Sequence, residues 1–379
     1  MTLALVHYGE IALKGGNRPY FESLLERSIK AALPKAKVKR EHGKIIIKFT
    51  GTEKRVKEAM EKIFGIEWFS FPLKSKSDFK SIKSTALKLK MDKKKTFKVE
   101  AKRVDKTLPY TSQELAAKIG EVFFNKKYKV SMEPEQVLYI EADKKESLVF
   151  LGKFRGLGGL PAGSAGKVVS LLSGGIDSPV SSWLMMKRGC TPIFVHFHPF
   201  GPKDKADFGK IEKLIGKLKE YFPSQLKVYL VPFYPFQLGS LKIPSRFALL
   251  SFRRFMLRCA EKIADREKAL GIVTGESVGQ VASQTLSNMR VVEEGINLPV
   301  FRPLVGFDKR EIIQLAEKVG TYKISLEKYR DCCISIMDPH PATSAKPENM
   351  KQAESSIDME KLVEKALEGA RIIELGRGL

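Results

Sequence analysis

The chain has 379 residues, of which 43% are hydrophobic, and a formal net charge of +24. This length exceeds one ordinary domain of roughly 100 to 200 residues and predicts two or three domains. No run of about 18 apolar residues occurs, which argues against a transmembrane helix, and Glu10 falls too early for a signal peptide. We therefore predict a soluble, cytoplasmic protein with no membrane association.

The positive charge is concentrated in the first part of the chain. Residues 1–165 hold 35 Lys and Arg against 19 Asp and Glu, a net charge of +16, and the remainder carries +8. Such an excess attracts polyanions by releasing their counterions, which favours RNA or DNA as a partner over a small neutral substrate. A lysine-rich solubilising surface is the alternative that charge alone leaves open.

The first segment follows the order βαββαβ. Its strands and helices are predicted at residues 3–8, 19–33, 38–40, 45–49, 54–64 and 67–73, with a turn at His42-Gly43. This is the order of a small ferredoxin-like domain, which we predict over residues 1–75.

A Lys- and Ser-rich stretch, residues 74–84, precedes a second α/β module, predicted over residues 76–160. It combines a helix bearing Phe79, Ile82, Ala86 and Leu89 with predicted elements at 96–102, 111–124, 137–142 and 147–154. These are a strand, a helix and two paired strands.

Residues 155–166, RGLGGLPAGSAG, contain five glycines and a proline, a composition typical of a linker. Beyond it, helical stretches alternate with apolar strands predicted at 168–172, 193–197, 227–231 and 271–274. This alternation predicts a doubly wound parallel sheet over residues 167–379. The predicted fold class is α/β, with two smaller α+β domains in front.

A glycine loop, SGGIDS at residues 173–178, follows the first of these strands, and Pro179 suits the first turn of a helix. Glycine N–H groups, the helix dipole and the hydroxyls of Ser173 and Ser178 suit a pyrophosphate. A carboxylate repels phosphate unless a cation intervenes, so Asp177 is predicted to contact Mg²⁺. The Walker pattern is absent, which argues against a kinase or GTPase. The loop predicts an ATP site, and an ordinary strand-to-helix turn is the alternative.

Four segments together resemble the ThiI family of tRNA 4-thiouridine synthetases, which carry the PP-loop signature of ATP pyrophosphatases. They are LLSGGIDSPV at 171–180, TGESVGQVASQT at 274–285, RPLVGFDKREI at 302–312 and YRDCC at 329–333. The resemblance extends over nearly the whole chain, because family members also have a ferredoxin-like domain and a tRNA-binding THUMP domain. It implies that ATP adenylates a uridine carbonyl oxygen in tRNA and that persulfide sulfur replaces this oxygen to give 4-thiouridine.

The resemblance also implies the residues of the site. The ATP-binding residues would be Leu171, Leu172, Ser173, Gly174, Gly175, Asp177, Ser178, His196, Phe197, Arg253, Gly275 and Gln284. Phe197 can stack on adenine and Arg253 can pair with phosphate. Asp177, Lys309 and Cys332 would be catalytic. Structural roles stay open for several of these residues: Leu171 and Leu172 as core residues, His196 as a satisfied strand histidine, and Lys309 as a helix-start lysine beside the N-cap Asp308.

Sulfur transfer requires a sulfur nucleophile, and Cys332 stands at the position of the family's essential cysteine. Lys328 and Arg330 favour its thiolate and Asp331 opposes it, so the sequence does not decide its reactivity. Adjacent Cys333 is either a partner thiol or a buried residue. Without a C-x-x-C pair, a zinc site, a disulfide framework and an iron–sulfur cluster are all disfavoured.

The other two cysteines, Cys190 and Cys259, lie in apolar stretches and are predicted to be core residues. The best-known family members add a rhodanese domain with a second catalytic cysteine, which this sequence, ending at Leu379, does not show. We therefore expect a cysteine desulfurase or another persulfide donor in trans, and the family's role in thiamin synthesis is less expected.

Two other functions and one assembly stay open. The chain could be another PP-loop enzyme that adenylates tRNA, or a non-catalytic THUMP RNA-binding protein. The cysteine in YRDCC favours sulfur chemistry, and the intact SGGIDS loop favours catalysis. The resemblance also allows a homodimer.

Overall fold

The structure, a computed structural model, describes residues 2–41, 43–201, 204, 207–330, 332, 336 and 338–376. The chain forms two compact units, Met1–Gly159 and Leu160–Leu379. Their division falls within the glycine-rich segment of residues 155–166. Within the described ranges, no helix is long and apolar enough to cross a membrane.

The first unit contains two sheets with helices packed against them. Its strands are β1 Thr2–His7, β2 Lys37–Glu41, β3 Lys44–Phe49, β4 Trp68–Ser70, β5 Leu73–Ser75, β6 Phe97–Arg103, β7 Gln136–Ala142, β8 Ser147–Leu151 and β9 Phe154–Arg155. Its helices are α1 Arg18–Ala32, α2 Glu53–Met60, α3 Phe79–Ala86 and α4 Ser112–Asn125.

The first sheet has the strand order β2-β3-β1-β4-β9, with every neighbouring pair antiparallel. Its first four strands, with α1 and α2, follow the predicted ferredoxin-like order βαββαβ. The four central residues of β1, Leu3 to Val6, are all apolar and buried, because both faces of the strand are covered. Ala4 and Val6 belong to the core beneath the helices, whereas Leu3 and Leu5 pack against Leu148 of the second sheet. His42 of the predicted turn lies outside the described residues.

The predicted strand 67–73 is two strands that enter different sheets: β4 joins the first sheet and β5 joins the second. Pro72 lies between them, and a proline cannot donate to a strand ladder. The predicted strand 147–154 also ends early, at Leu151. Gly152, with a φ of +72°, follows it, and β9 then returns to pair with β4 in the first sheet.

The second sheet has the order β5-β8-β7-β6, in which only β6 and β7 run parallel. The helices α3 and α4 share a core with it. Thr111 caps α4 by accepting a hydrogen bond from the N–H of Glu114, whose side chain in turn accepts from the N–H of Thr111. This capping box explains why the helix begins at Ser112, as the Thr111-Ser112 pair predicts.

The second unit is a layered α/β domain. Its strands are β10 Lys167–Leu171, β11 Thr191–His198, β12 Leu226–Pro232, β13 Ile272–Val273, β14 Val300–Phe301 and β15 Arg371–Leu375. Its helices are α5 Asp177–Lys187, α6 Gly209–Lys219, α7 Tyr234–Gly239, α8 Ser245–Glu267, α9 Leu286–Glu293, α10 Lys309–Val319, α11 Tyr322–Ser325, α12 Pro347–Glu354 and α13 Met359–Glu368.

The sheet of the second unit has the order β14-β13-β10-β11-β12-β15 and is parallel except for the edge strand β15. The predicted doubly wound fold is confirmed. From β10 the chain continues to β11 and β12 and then crosses to β13 on the other side of β10. The carboxyl ends of β10 and β13 therefore form a topological switch point, where sheets of this kind bind ligands.

Candidate active site

The loop between β10 and α5 is closed by its own serine hydroxyls. Ser178 Oγ accepts a hydrogen bond from the N–H of Ser173 at 2.9 Å and lies 3.0 Å from Ser173 Oγ. Ser173 Oγ also accepts from the N–H of Gly175 at 3.2 Å. These contacts hold the loop against the N-terminus of α5, where a helix attracts anions.

Asp177, the first residue of α5, is held by two side chains. Lys309 Nζ lies 2.6 Å from its Oδ1, and Gln280 Nε2 donates to its Oδ2 at 2.8 Å. Asp308 is the N-cap of α10, as predicted, and its capping box with Glu311 sets Lys309 at the first helical position. The cation beside Asp177 is thus a lysine ammonium group.

The described residues contain no group of three or more His, Cys, Asp or Glu side chains that could hold a metal ion. A magnesium ion at this loop would therefore depend on the phosphates of a nucleotide for most of its ligands, with the carboxylate of Asp177 as the nearest protein group. The magnesium contact stays a prediction.

A cavity opens at the carboxyl ends of β10, β11 and β13. Eleven predicted site residues line it: Leu171, Leu172, Ser173, Asp177, Ser178, His196, Phe197, Arg253, Gly275, Gln284 and Cys332. The residues predicted for nucleotide binding and for sulfur transfer thus share one cavity.

Three predicted residues lie beside the cavity without lining it. Lys309 reaches the cavity through its ion pair with Asp177. Gly174 faces the ring of Tyr329, to which a β-carbon at position 174 would come within 3.1 Å. Gly175 turns its N–H into the loop. The two glycines therefore shape the loop, because a side chain at position 174 would press on that ring.

One wall of the cavity is apolar and is formed by Val195, Phe197, Phe252, Met256, Leu257 and Val292. Phe197 is only 8% exposed, and its ring packs against Phe252 and Phe255 with centroid distances of 6.2 and 5.9 Å. Most of this ring is packed in the core, so only a small apolar part of it is accessible to a ligand. The predicted stacking of Phe197 on adenine stays a prediction.

The cavity lining also includes a carboxylate, Glu276, that is held by two arginines. Glu276 forms an ion pair with Arg253, and its second oxygen lies 2.7 Å from Arg302 Nε and accepts from Thr274 Oγ1 at 3.0 Å. Arg302 also pairs with Glu293. Arg253 is therefore not an isolated phosphate-binding cation, because Glu276 balances its charge.

Two further predicted residues determine the path of the chain after β13. A β-carbon on Gly275 would lie 2.7 Å from the backbone nitrogen of Ser178, so only glycine allows this strand end to touch the first turn of α5. Gln284 accepts from the N–H of Ser277 at 3.4 Å with its side chain and from the N–H of Gly279 at 2.9 Å with its carbonyl group. Gln284 thus closes the loop that carries Glu276.

The segment that carries Cys332 crosses the phosphate loop. Tyr329 Oη lies 2.7 Å from His196 Nε2, and His196 Nδ1 lies 2.8 Å from the carbonyl oxygen of Leu172. Cys332 is 4% exposed, and its Sγ donates to the carbonyl oxygen of Phe197 at 3.2 Å. Its thiol therefore lies against the end of β11, inside the cavity.

The other cysteines lie elsewhere. Cys190 and Cys259 are buried outside the cavity, and burial raises the pKa of both thiols, as expected for core residues. Asp331 and Cys333, which the sequence associates with Cys332, lie outside the described residues.

Four residues that the structure places at the site were not predicted, although all of them stand inside the four segments that carry the family resemblance. They are Glu276, Gln280, Arg302 and Tyr329. The available signal was a charged or polar residue directly after a strand end, as with Arg302 after β14. Their partners lie up to 133 residues away in sequence, so no local pattern reveals the pairing.

The fold, the phosphate loop and the cavity define the second unit as a nucleotide-binding domain of the PP-loop class. Three family models match the chain: "ThiI ferredoxin-like domain" over residues 3–70, "THUMP domain" over 76–151 and "Thiamine biosynthesis protein (ThiI)" over 163–359. The protein belongs to the ThiI family.

Similar proteins extend over the whole chain. A probable tRNA sulfurtransferase of Caldanaerobacter subterraneus is 41% identical over 95% of this chain and 96% of its own, and one of Brevibacillus brevis is 36% identical over 98% and 96%. A crystal structure described as a 4-thiouridine synthetase–RNA complex with bound ATP is 35% identical, has a TM-score of 0.87 and matches 99% of this chain and 100% of its own.

Proposed function

We propose that this protein is an ATP-dependent tRNA sulfurtransferase that forms 4-thiouridine. The observation that carries the proposal is that Cys332 lines the same cavity as Ser173, Asp177 and Ser178 of the phosphate loop. The names of the relatives support the tRNA substrate, and the bound ATP of the similar crystal structure supports the nucleotide.

The first step joins a uridine carbonyl oxygen of tRNA to the α-phosphorus of ATP, and pyrophosphate leaves. The cavity fits ATP, because a glycine loop at a helix N-terminus suits the phosphates and an apolar wall suits the base. Lys309, paired with Asp177 at this loop, can balance the charge that builds up on the leaving pyrophosphate. A magnesium ion bound with ATP would add further charge neutralisation, with Asp177 as its protein contact.

The second step replaces the activated oxygen with sulfur. The terminal sulfur of a Cys332 persulfide attacks C4 of the uridine, and AMP leaves with the former carbonyl oxygen. The sulfur then bridges Cys332 and the base. A second thiol attacks Cys332 Sγ and breaks the S–S bond, so that the electron pair remains on the sulfur of the 4-thiouridine. Cys332 ends in a disulfide with that thiol, and a thiol reductant restores it.

The partners follow from this chemistry. The basic first part of the chain, with a net charge of +16 over residues 1–165, suits tRNA phosphates, and the THUMP match supports RNA binding. The target is the uridine that joins the acceptor and D stems, turned out of its stack for reaction. A cysteine desulfurase, or another persulfide donor in trans, charges Cys332 in the cytoplasm.

The test incubates unmodified tRNA with the protein, Mg-ATP and a cysteine desulfurase with cysteine. Thiolated tRNA is detected by its retardation in a mercury-containing gel. The wild-type protein is expected to give retarded tRNA, whereas Cys332→Ser gives none. Cys190→Ser is the matched control, because Cys190 is equally buried but lies outside the cavity, and it is expected to retain activity.

Failure of the wild type to thiolate tRNA would overturn the proposal. ATP consumption that depends on tRNA but gives no thiolated product would indicate a different PP-loop modification. RNA binding without ATP consumption would indicate a non-catalytic THUMP protein. Sedimentation of the same preparation tests the homodimer that the family resemblance allows.

A further inference from the structure

Residues 325–330, which precede Cys332 in the chain, touch the phosphate loop at more than one point. Ser325 Oγ donates to the carbonyl oxygen of Gly175 at 3.2 Å. The ring of Tyr329 covers Gly174, where an added β-carbon would approach it to 3.1 Å. The segment that ends in Cys332 is therefore fitted to the loop and does not merely run past it.

His196 connects this segment to the start of the phosphate loop. A carbonyl oxygen can only accept, so the contact of 2.8 Å between His196 Nδ1 and Leu172 O places a proton on Nδ1. In the neutral imidazole, Nε2 is then the acceptor, and the Tyr329 hydroxyl donates to it across 2.7 Å. His196 is 2% exposed, so water hardly competes with these bonds.

Cys332 also contacts the carboxyl end of β11. Tyr329 binds the side chain of His196, and Cys332 binds the carbonyl oxygen of the next residue, Phe197. The backbone of the segment is also held by Lys210, whose Nζ donates to the carbonyl oxygens of Ser325 and Glu327 at 2.9 and 2.6 Å. The hydroxyl of Tyr329 thus fixes the register of the segment on β11 three residues before the thiol.

We propose that Tyr329 is a positioning residue for Cys332, acting through His196 to hold the sulfur-carrying segment on the phosphate loop. This inference rests on the proposed function and deepens it. The Tyr329 hydroxyl acts mainly in the transfer of sulfur, and the adenylation of tRNA depends on it less. Removing it loosens Cys332 while the ring, which contacts Gly174, stays in place.

The test is Tyr329→Phe, which removes only the hydroxyl. In a single turnover with tRNA, we expect persulfide-dependent thiolation to slow roughly fivefold to tenfold, the effect of one lost hydrogen bond, and pyrophosphate release to slow by a smaller factor. Tyr221→Phe is the matched control. Tyr221 is buried, and its hydroxyl donates to the carbonyl oxygen of Val319 at 3.3 Å, but it lies outside the cavity, so both rates should stay unchanged.

Rescue by free sulfide separates positioning from a general structural role. At high concentration, sulfide can attack the adenylated uridine directly and needs no Cys332. Thiolation by Tyr329→Phe should then return to the wild-type rate. An equal loss of pyrophosphate release and thiolation in Tyr329→Phe would overturn the inference, because it would make Tyr329 part of the nucleotide site. Unchanged thiolation would overturn it as well. The proposed function fails separately, if the wild type gives no thiolated tRNA.

Discussion

Two buried carboxylates, one in each unit, are held by pairs of cationic side chains, yet their surroundings differ. Glu141 on β7 lies 2.9 Å from His7 Nε2 and 3.3 Å from Lys44 Nζ, so it joins the second sheet of the first unit to the first sheet. Glu276 lies between Arg253 and Arg302 in the wall of the cavity. The same ionic arrangement stabilises a sheet contact in one place and faces a ligand cavity in the other.

The cationic partners of Glu141 and Glu276 also differ in type. Burial by itself would raise the pKa of Glu141, but the hydrogen bond and charge of His7 and the charge of Lys44 outweigh it and lower this pKa. Glu276 has two arginine partners, and arginine is always charged in proteins, whereas Glu141 has one lysine and one histidine as partners. Loss of Glu276 should therefore cost more than loss of Glu141, and only Glu276 should affect nucleotide binding.

Neutralising the carboxylate in the cavity should have the largest effect. Glu276→Gln leaves the buried Arg253 without its counter-ion and Arg302 with Glu293 as its remaining partner, and we expect the free energy of unfolding to fall by about 3 to 5 kcal/mol. The KM for ATP should rise, because Arg253 loses the group that orients it. Urea unfolding and steady-state kinetics measure the two effects. A stable variant with an unchanged KM would contradict this role of Glu276.

As the pH falls, the free energy of unfolding of the second unit should begin to decrease at a higher pH than that of the first unit. Burial lowers the pKa of His198 to about 4. Its ordinary value is 6.5, so the stability it contributes is complete above pH 6.5 and is lost as the pH falls towards 4, by up to roughly 3 kcal/mol. The lowered pKa of Glu141 acts only below its ordinary value of 4.5.

The two tryptophans allow these responses to be measured separately, because Trp68 lies in the first unit and Trp183 in the second. Unfolding of single-tryptophan variants, Trp183→Phe and Trp68→Phe, is followed between pH 7 and pH 4. Replacing His198 with Phe should abolish the early loss at Trp183. If Trp68 reports unfolding first, the order of the two units is the reverse of the one expected.

Neutralising the carboxylate between the sheets should have a smaller effect. For Glu141→Gln we expect a loss of about 2 kcal/mol, because the amide keeps one hydrogen bond and only one ammonium group, that of Lys44, loses its counter-ion. Unfolding reported by Trp68 measures the loss, and the KM for ATP serves as the internal control. A raised KM would mean that the two clusters are not independent.

A change on the outer side of the Glu276 cluster should have the smallest effect. Arg302→Lys keeps a positive charge but cannot reach both Glu276 and Glu293, so we expect a loss of about 1 kcal/mol. The KM for ATP should change less than in Glu276→Gln, because Arg302 does not line the cavity. An equal change in both variants would show that Arg302 orients Arg253 as strongly as Glu276 does.

Much of the fold could be predicted from the sequence because it depends on short-range sequence patterns. The predicted α/β class, the ferredoxin-like order and the strand–loop–helix around residues 173–178 depend on apolar periodicity, glycines and helix caps. The two strands that escaped prediction, β14 and β15, are a two-residue strand and an edge strand whose partner β12 lies more than 130 residues earlier. Such pairings depend on tertiary packing and leave little trace in local sequence.

The candidate site likewise has features that could be predicted from the sequence and features that could not. The family resemblance supplied the predicted residues that line the cavity, but it did not supply the charge balance within it. Arg253 was predicted as a phosphate ligand, and its pairing with Glu276 depends on the contact between α8 and the end of β13. Lys309 likewise looks like an ordinary helix-start residue until α10 brings it to Asp177.

The pairing of β4 with β9 has a consequence for synthesis of the chain. Trp68 pairs with Arg155, so the first sheet is not complete until the residues of the second sheet have been made. During translation, the edge of β4 stays unpaired until about 85 further residues have been synthesised, and another strand could pair with it during that time. The residues of the THUMP domain are therefore synthesised before the sheet of the ferredoxin-like domain can be completed.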